Sequence, residues 1–185
     1  MAGEGANGRI EIRLAGSGGQ GIVLAGVILA EAAILAGKNA AQSQVYGPES
    51  RGGATRADVV IADSEIGFPQ AQALDVLVAL TQEACTRYAG DLRPSGLLVA
   101  DAKAVREPPA GEWRTCRLPI AQTAEKAGSL LAANVVALGA LAELTGVVAA
   151  EALERAVAAR VPRQLELNLR ALAAGRLLAR RSREA

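Results

Sequence analysis

Gly16-Ser17-Gly18-Gly19-Gln20-Gly21 is the segment whose residue types and spacing best suit chemistry at a backbone. It satisfies GxGxxG at Gly16, Gly18 and Gly21, between a strand-like run and an apolar helical run, which is the context the pattern requires. Glycines let the backbone approach a ligand closely, and the start of the following helix offers unpaired N–H groups to an anion. A phosphate or pyrophosphate suits that chemistry. A dinucleotide site would also place Asp or Glu about 20 residues beyond the glycines to hold a ribose. That region reads Ala40-Ala41-Gln42-Ser43-Gln44, with neither an acid nor an arginine for a 2′-phosphate. Two readings stand: an anion cradle built from Gly16, Gly18, Gly19, Gln20 and Gly21, or a tight strand-to-helix turn whose glycines serve packing.

A second concentration of polar groups is Tyr46-Gly47-Pro48-Glu49-Ser50-Arg51-Gly52-Gly53. Pro48 stiffens this segment, while Gly47, Gly52 and Gly53 permit close approach. Tyr46, Glu49 and Arg51 are its polar handles, and Arg51 suits bidentate binding of a phosphate or carboxylate. A solvated surface connection is the alternative. Because loops that follow strands in open α/β sheets gather at one edge, this segment is expected near the glycine loop. Asn134, at the start of an apolar run, is a candidate for ligand contact or for helix capping. Asn168 reads as a buried contact to backbone, Glu31 as a buried acid without an acid/base partner, and Arg176 to Arg183 as a solvated helix end.

Composition excludes several classes. There is no histidine, which removes the commonest general base and any Ser-His or Cys-His nucleophilic site. Cys85 and Cys116 are far apart and have no CxxC partner, so they supply neither the thiolates of an iron–sulfur cluster nor a disulfide framework. No catalytic residue and no metal site is expected in this chain. The formal net charge of +1 gives no case for a nucleic-acid binder. The most apolar stretch, Ile22 to Ala36, contains Glu31 and falls short of the roughly 20 apolar residues of a membrane span. The first residues lack the basic start and apolar region of a signal peptide, so a cytoplasmic protein is expected.

The elements that must position these residues follow from periodicity and punctuation. Arg9 to Ala15 alternates as a strand before the Gly16–Gly21 loop, and Ile22 to Ala36 is an apolar helix ended by Gly37. Asn39 to Val45, Arg56 to Ala62, Leu74 to Leu80, Leu97 to Ala100 and Trp113 to Leu118 read as strands, with a turn at Pro94-Ser95-Gly96. Thr81 to Ala89 reads as a helix. From Ala121 the chain is helical in character, with helices over Leu131–Thr145, Ala149–Val161 and Gln164–Arg181. The expected fold is α/β, a mainly parallel sheet flanked by helices with the helical C-terminal third packed on the same domain. Residues 9–181 form that single domain, preceded by a leader over 1–8 and followed by a frayed tail over 182–185.

Taken in order, these blocks resemble the γ subunit of 2-oxoacid:ferredoxin oxidoreductases. The resemblance rests on the Gly16–Gly21 loop followed by Ala25-Gly26 and Leu29-Ala30, then on the Tyr46–Gly53 block. It continues through Pro69, Leu74-Asp75-Val76-Leu77-Val78-Ala79 and Gln82, then Ala133-Asn134, Ala137-Leu138-Gly139 and Leu144-Thr145-Gly146. Asn168, Ala171-Leu172 and Gly175 complete it. The resemblance implies a subunit of a complex that oxidatively decarboxylates a 2-oxoacid, with 2-oxoglutarate the favoured branch, to acyl-CoA while reducing ferredoxin. It implies thiamine diphosphate and iron–sulfur clusters on α and β partners, with room for a ferredoxin-like δ subunit. For this chain it allows coenzyme A contacts and subunit contacts at the glycine loop, the Tyr46–Gly53 loop and Asn134, and no cofactor bound by the chain alone. The alternatives are a stand-alone nucleotide-binding module and a purely structural assembly module.

Overall fold

The computed structural model describes residues 8–45 and 54–184. A six-stranded sheet runs in the order β2-β3-β1-β4-β5-β6, with β1 Ile10–Ser17, β2 Asn39–Val45, β3 Ala54–Ala62, β4 Leu74–Ala79, β5 Leu92–Asp101 and β6 Arg114–Leu118. The helices are α1 Ile22–Leu35, α2 Gln82–Tyr88, α3 Ile120–Ala127, α4 Ala133–Thr145, α5 Ala150–Arg160 and α6 Leu165–Glu184. Pairs β1–β4, β4–β5 and β5–β6 are parallel, while β3 is antiparallel to both β1 and β2. The sheet is therefore mainly parallel, with an antiparallel strand let into it. Residues 46–53 are too few for the crossover of roughly a dozen residues that a parallel return requires, so β3 must return antiparallel beside β2.

The strands follow their β-branched runs closely. Gly16 and Ser17, expected in the loop, extend β1 because they pair with Thr55 and Ala54 of β3. The Pro94-Ser95-Gly96 turn is a bulge inside β5: Leu74 and Val76 of β4 pair with Leu92 and Leu97, so the intervening residues loop out. Ser95 takes φ 64° there and donates its N–H to Glu112 O at 2.7 Å. Thr81 is the cap of α2 rather than its first residue, its Oγ1 accepting from Ala84 N at 3.2 Å. The chain stays helical through Glu184, past the start of the expected tail; Arg183 holds the end by donating to Leu144 O at 2.6 Å.

The helices divide unequally between the faces. α1, α3, α4, α5 and α6 bury one face, in a core drawn from Ile12, Leu14, Ile28, Val59, Val76, Val99, Leu138, Leu141 and many alanines. Among the described α-helices, α2 covers the other, through Ala84, Cys85 and Tyr88 against Leu77, Leu98 and Ala100, joined by Ala89 and Val105. α4 and α6 approach so closely that a Cβ at Gly139 would lie 2.2 Å from Leu172 O, and one at Gly175 2.0 Å from Val136 O. With 2% aromatic residues, the core gains its density from such small side chains and close backbones. Glu31 is half-buried and paired with Arg160 of α5, and Asn168 donates to Gln164 O at 2.9 Å, the backbone contact expected of it. Cys85 is buried and Cys116 half-buried, both free; burial raises the Cys85 thiol above its ordinary range.

Candidate functional site at the switch point of the sheet

β1 and β4 are parallel neighbours, yet the helix leaving β1 packs on one face and the helix leaving β4 on the other. Such a reversal opens a crevice beyond the carboxyl ends of the two strands, the usual ligand position in open α/β sheets. The Gly18–Gly21 loop leaves β1 at this point, and Leu80 leaves β4 with its N–H bonded to Ala15 O at 2.9 Å. The walls of the crevice are Gly19, Gln20, Leu80, Asp101, Ile120, Ala121, Leu130, Leu131 and Ala133, around a cavity of about 150 Å³.

The loop is shaped from within. Gln20 folds back so that its Oε1 accepts from Ser17 N at 2.8 Å, and its own N–H bonds to Ser17 O at 3.3 Å. A Cβ at Gly16 would lie 2.3 Å from that Oε1, so Gly16 makes room for the brace. Gly21 is the N-cap of α1 at φ 69°, a left-handed conformation that favours glycine. Its carbonyl accepts from Ala25 N at 2.9 Å and from Asn134 Nδ2 at 3.0 Å, and a Cβ there would lie 2.4 Å from that Nδ2. Gly18 and Gly19 are exposed, and a Cβ on either would meet nothing within 4 Å.

This geometry assigns roles within the predicted set. Gly16, Gln20 and Gly21 build the loop, while Gly18 and Gly19 present it to solvent. Asn134 does not cap α4, whose N-cap is Ala132 with no side-chain bond. Buried at 5% exposure, it instead pins the loop across the crevice. Among the described residues no side chain caps α1, and its first turn holds no acid, so no described group supplies a counter-charge to its leading N–H groups. Tyr46, Gly47, Pro48, Glu49, Arg51, Gly52 and Gly53 lie outside the described residues. Their described neighbours are placed: Ala54 pairs with Ser17, and β2 runs in the same direction as β1, so Ala54 and the end of β2 lie at the edge that carries the glycine loop.

Topology adds to the sequence argument against an ordinary dinucleotide site. Such a site needs the second strand beside the first, so that its acid reaches the ribose. Here β3 occupies that place and β2 ends two strand spacings, roughly 9–10 Å, from β1.

Sequence reasoning passed over Asp101, the acid among the described residues of the crevice wall. Its Oδ1 accepts from Lys103 N at 3.0 Å and Ala104 N at 2.8 Å, and its Oδ2 from Ala121 N at 2.7 Å. It ties the end of β5 to the start of α3 and so orders the wall. Its position at the carboxyl end of a strand was the available signal. Among the described residues no group of three or more His, Cys, Asp or Glu gathers as a metal site. No described helix is long and apolar enough to cross a membrane.

The model of the pyruvate ferredoxin/flavodoxin oxidoreductase family matches residues 11–178. The chain belongs to that family. It is a γ-type subunit within it, and it is 46% identical over 179 residues to the 2-oxoglutarate synthase subunit KorC of Methanothermobacter thermautotrophicus, covering 92% of this chain and 95% of that one. The γ subunit of a keto/oxoacid ferredoxin oxidoreductase from Geobacter sulfurreducens superposes with a TM-score of 0.84 at 48% identity, covering 93% of this chain and 99% of that one. The 2-oxoglutarate:ferredoxin oxidoreductase of Magnetococcus marinus, solved with 2-oxoglutarate, coenzyme A and succinyl-CoA bound, superposes with a TM-score of 0.85 at 27% identity. That match covers 94% of this chain and 31% of the Magnetococcus chain. In this family the glycine loop thus belongs to an oxidoreductase subunit, and the stand-alone nucleotide module loses its support.

Proposed function

We propose that this γ-type subunit serves a 2-oxoglutarate:ferredoxin oxidoreductase, and that its switch-point edge receives coenzyme A where the acyl group is handed over. The observation that carries this reading is the uncapped start of α1 behind the exposed Gly18 and Gly19, with the loop held in place by Asn134. Backbone N–H groups at a helix start suit the phosphates of coenzyme A, and glycines without side-chain obstruction allow them to come close. The adjoining apolar recess suits a less polar part of the same ligand or of a partner. Arg51, in the sequence that follows β2, is the cation best suited to a further phosphate. The similarity to KorC and to a relative solved with coenzyme A supports this choice of substrate and ligand.

Companion α and β subunits carry thiamine diphosphate and the iron–sulfur clusters, which supply decarboxylation and electron transfer to ferredoxin when bound. The residues of this chain then bind and orient. The loop glycines accept the anion, Gln20 and Asn134 hold the loop to one shape, and Asp101 keeps the opposite wall fixed. Preorganisation of this kind lowers the ordering cost of binding. The complex works in the cytoplasm, where ferredoxin is the acceptor.

The test is steady-state kinetics of the reconstituted complex with Gly18→Ala in this subunit. A Cβ at Gly18 meets no atom of the described residues within 4 Å, so folding of this chain is expected to be unchanged. The KM for coenzyme A should rise at least about tenfold, the size of one lost charge-assisted hydrogen bond, with the KM for 2-oxoglutarate unmoved. An unaltered KM for coenzyme A would overturn the proposal.

A further inference from the structure

Leu130 and Leu131 project from the short turn ahead of α4, at the rim of the switch-point cavity, and are 51% and 77% exposed. Ser129 fixes that turn, its Oγ accepting from Leu131 N at 3.2 Å. Among the described residues the other large exposed apolar side chains, Ile34, Phe68 and Leu177, are single and lie on separate elements. Isolated cases of that kind are ordinary on a protein surface. Two adjacent leucines beside an apolar recess are a different arrangement. Behind them Leu80, Ile120 and Ala133 line about 150 Å³, a volume that holds one benzene-sized apolar group. Asp101, the acid among the described wall residues, is engaged by three backbone N–H groups, and the other described side chains that line the recess carry no charge.

A pocket that takes an apolar anchor, rimmed by exposed apolar side chains, is how the centre of a protein interface is built. The Magnetococcus chain shows what is available to fill it. There the same fold makes up 31% of one polypeptide, whereas KorC consists of it almost entirely. Sequence joined covalently in the first relative must be held by contacts in the second. We infer that Leu130, Leu131 and the recess behind them seat the companion polypeptide equivalent to the remainder of the Magnetococcus chain, which inserts one apolar side chain between them. Because the recess borders Gly19 and Gln20, docking there places the companion beside the glycine loop, so that the ligand edge is completed only on assembly. The inference rests on the proposed function in so far as it assumes a working complex.

The experiment co-expresses the chain with its companion polypeptides and measures assembly by native mass spectrometry and by titration of the purified chain into the companion. Leu130→Asn with Leu131→Asn should weaken assembly at least about thirtyfold, as loss of a hot spot does. The isolated double variant should keep the wild-type melting temperature, because both side chains are exposed. Leu131→Met should assemble normally. Wild-type affinity in the double variant would overturn the inference while leaving the proposed function standing. A complex that never forms with the wild-type chain would instead overturn the proposed function. A homodimer lost in the double variant, with heteromeric assembly retained, would assign the surface to a second copy and also overturn the inference.

Discussion

On the α1 face, β1 turns Ile12 and Leu14 into a core of alanines and branched aliphatics; on the α2 face, the same strand turns Glu11 and Arg13, both at most 5% exposed. The first face is closed by volume. Five helices bring small residues together, and α4 meets α6 backbone to backbone at Gly139 and Gly175. The second is closed partly by charge. Arg13 donates to both oxygens of Asp58 on β3, at 2.6 and 2.8 Å, and to Asp91, with its guanidinium 5.0 Å from the Tyr88 ring centroid. Alongside, Glu11, Asp75, Arg9 and Arg93 form a second network. Burial alone thus does not tell how a sheet face is held. Charge closure depends on each partner's presence, volume closure on each atom's absence, and substitutions should separate the two.

The largest effect is expected on the charged face. Arg13→Met leaves Asp58 buried without its bidentate partner and should cost about 3–5 kcal/mol of unfolding free energy. Arg56, with Nε 3.9 Å from Asp58, is too distant to replace it. Arg13→Met combined with Asp58→Leu removes both charges and should recover most of the loss, because a buried pair often adds little over a packed apolar one. Urea denaturation of the two variants decides the matter. If the double variant is as unstable as the single one, the stacking of Arg13 on Tyr88 and packing, rather than charge, hold this face.

On the apolar face Gly175→Ala should cost about 2 kcal/mol with no such rescue. In an exposed helix the same change would stabilise by about 1 kcal/mol. Here the added Cβ would lie 2.0 Å from Val136 O, a backbone atom that moves only if the two helices part. Overpacking of this kind costs about 1–3 kcal/mol. A rise in the urea midpoint would show that the seam between α4 and α6 is looser than its geometry.

Most of the elements were legible because their signals are local. The β-branched runs gave the strands, and Gly37, Gly146 and Pro162 marked where helices stop. What escaped was nonlocal. Nothing near β3 announces that it lies between β1 and β2, and the bulge at 93–96 depends on the register with β4. The alternation in Arg9–Ala15 gave the period of β1 but not that its charged side would be buried too. At the site, the glycine loop was readable from its pattern, whereas the role of Asn134 was not, because its partner lies 113 residues away. Leu80, Ile120, Leu130 and Leu131 are ordinary apolar residues in sequence. Position at one edge of the sheet gives them their meaning.

The charged face should also leave a signature in pH that the apolar face cannot. Burial pushes the Glu11 carboxyl up, but its bonds from Ala73 N at 2.9 Å and Gln72 N at 2.6 Å, with Arg9 beside it, outweigh this and leave its pKa lowered. A folded pKa below the unfolded one gives stability that is present above the ordinary carboxylate range and lost as pH falls through the folded value. For Asp75 burial prevails over its bond from Glu11 N and the Arg93 charge, and its pKa is raised. Its contribution therefore has the opposite sign: present below the unfolded value, lost as pH rises through the folded one. Urea midpoints measured from about pH 6 down to about pH 3 should show a shallower acid loss for Glu11→Gln than for the wild type, and a steeper one for Asp75→Asn. The differences should be the smallest of the three, since Gln and Asn each keep an acceptor oxygen in place. Acid limbs parallel to the wild type in both variants would remove the charged networks from the account of this face and leave packing to hold both sides of the sheet.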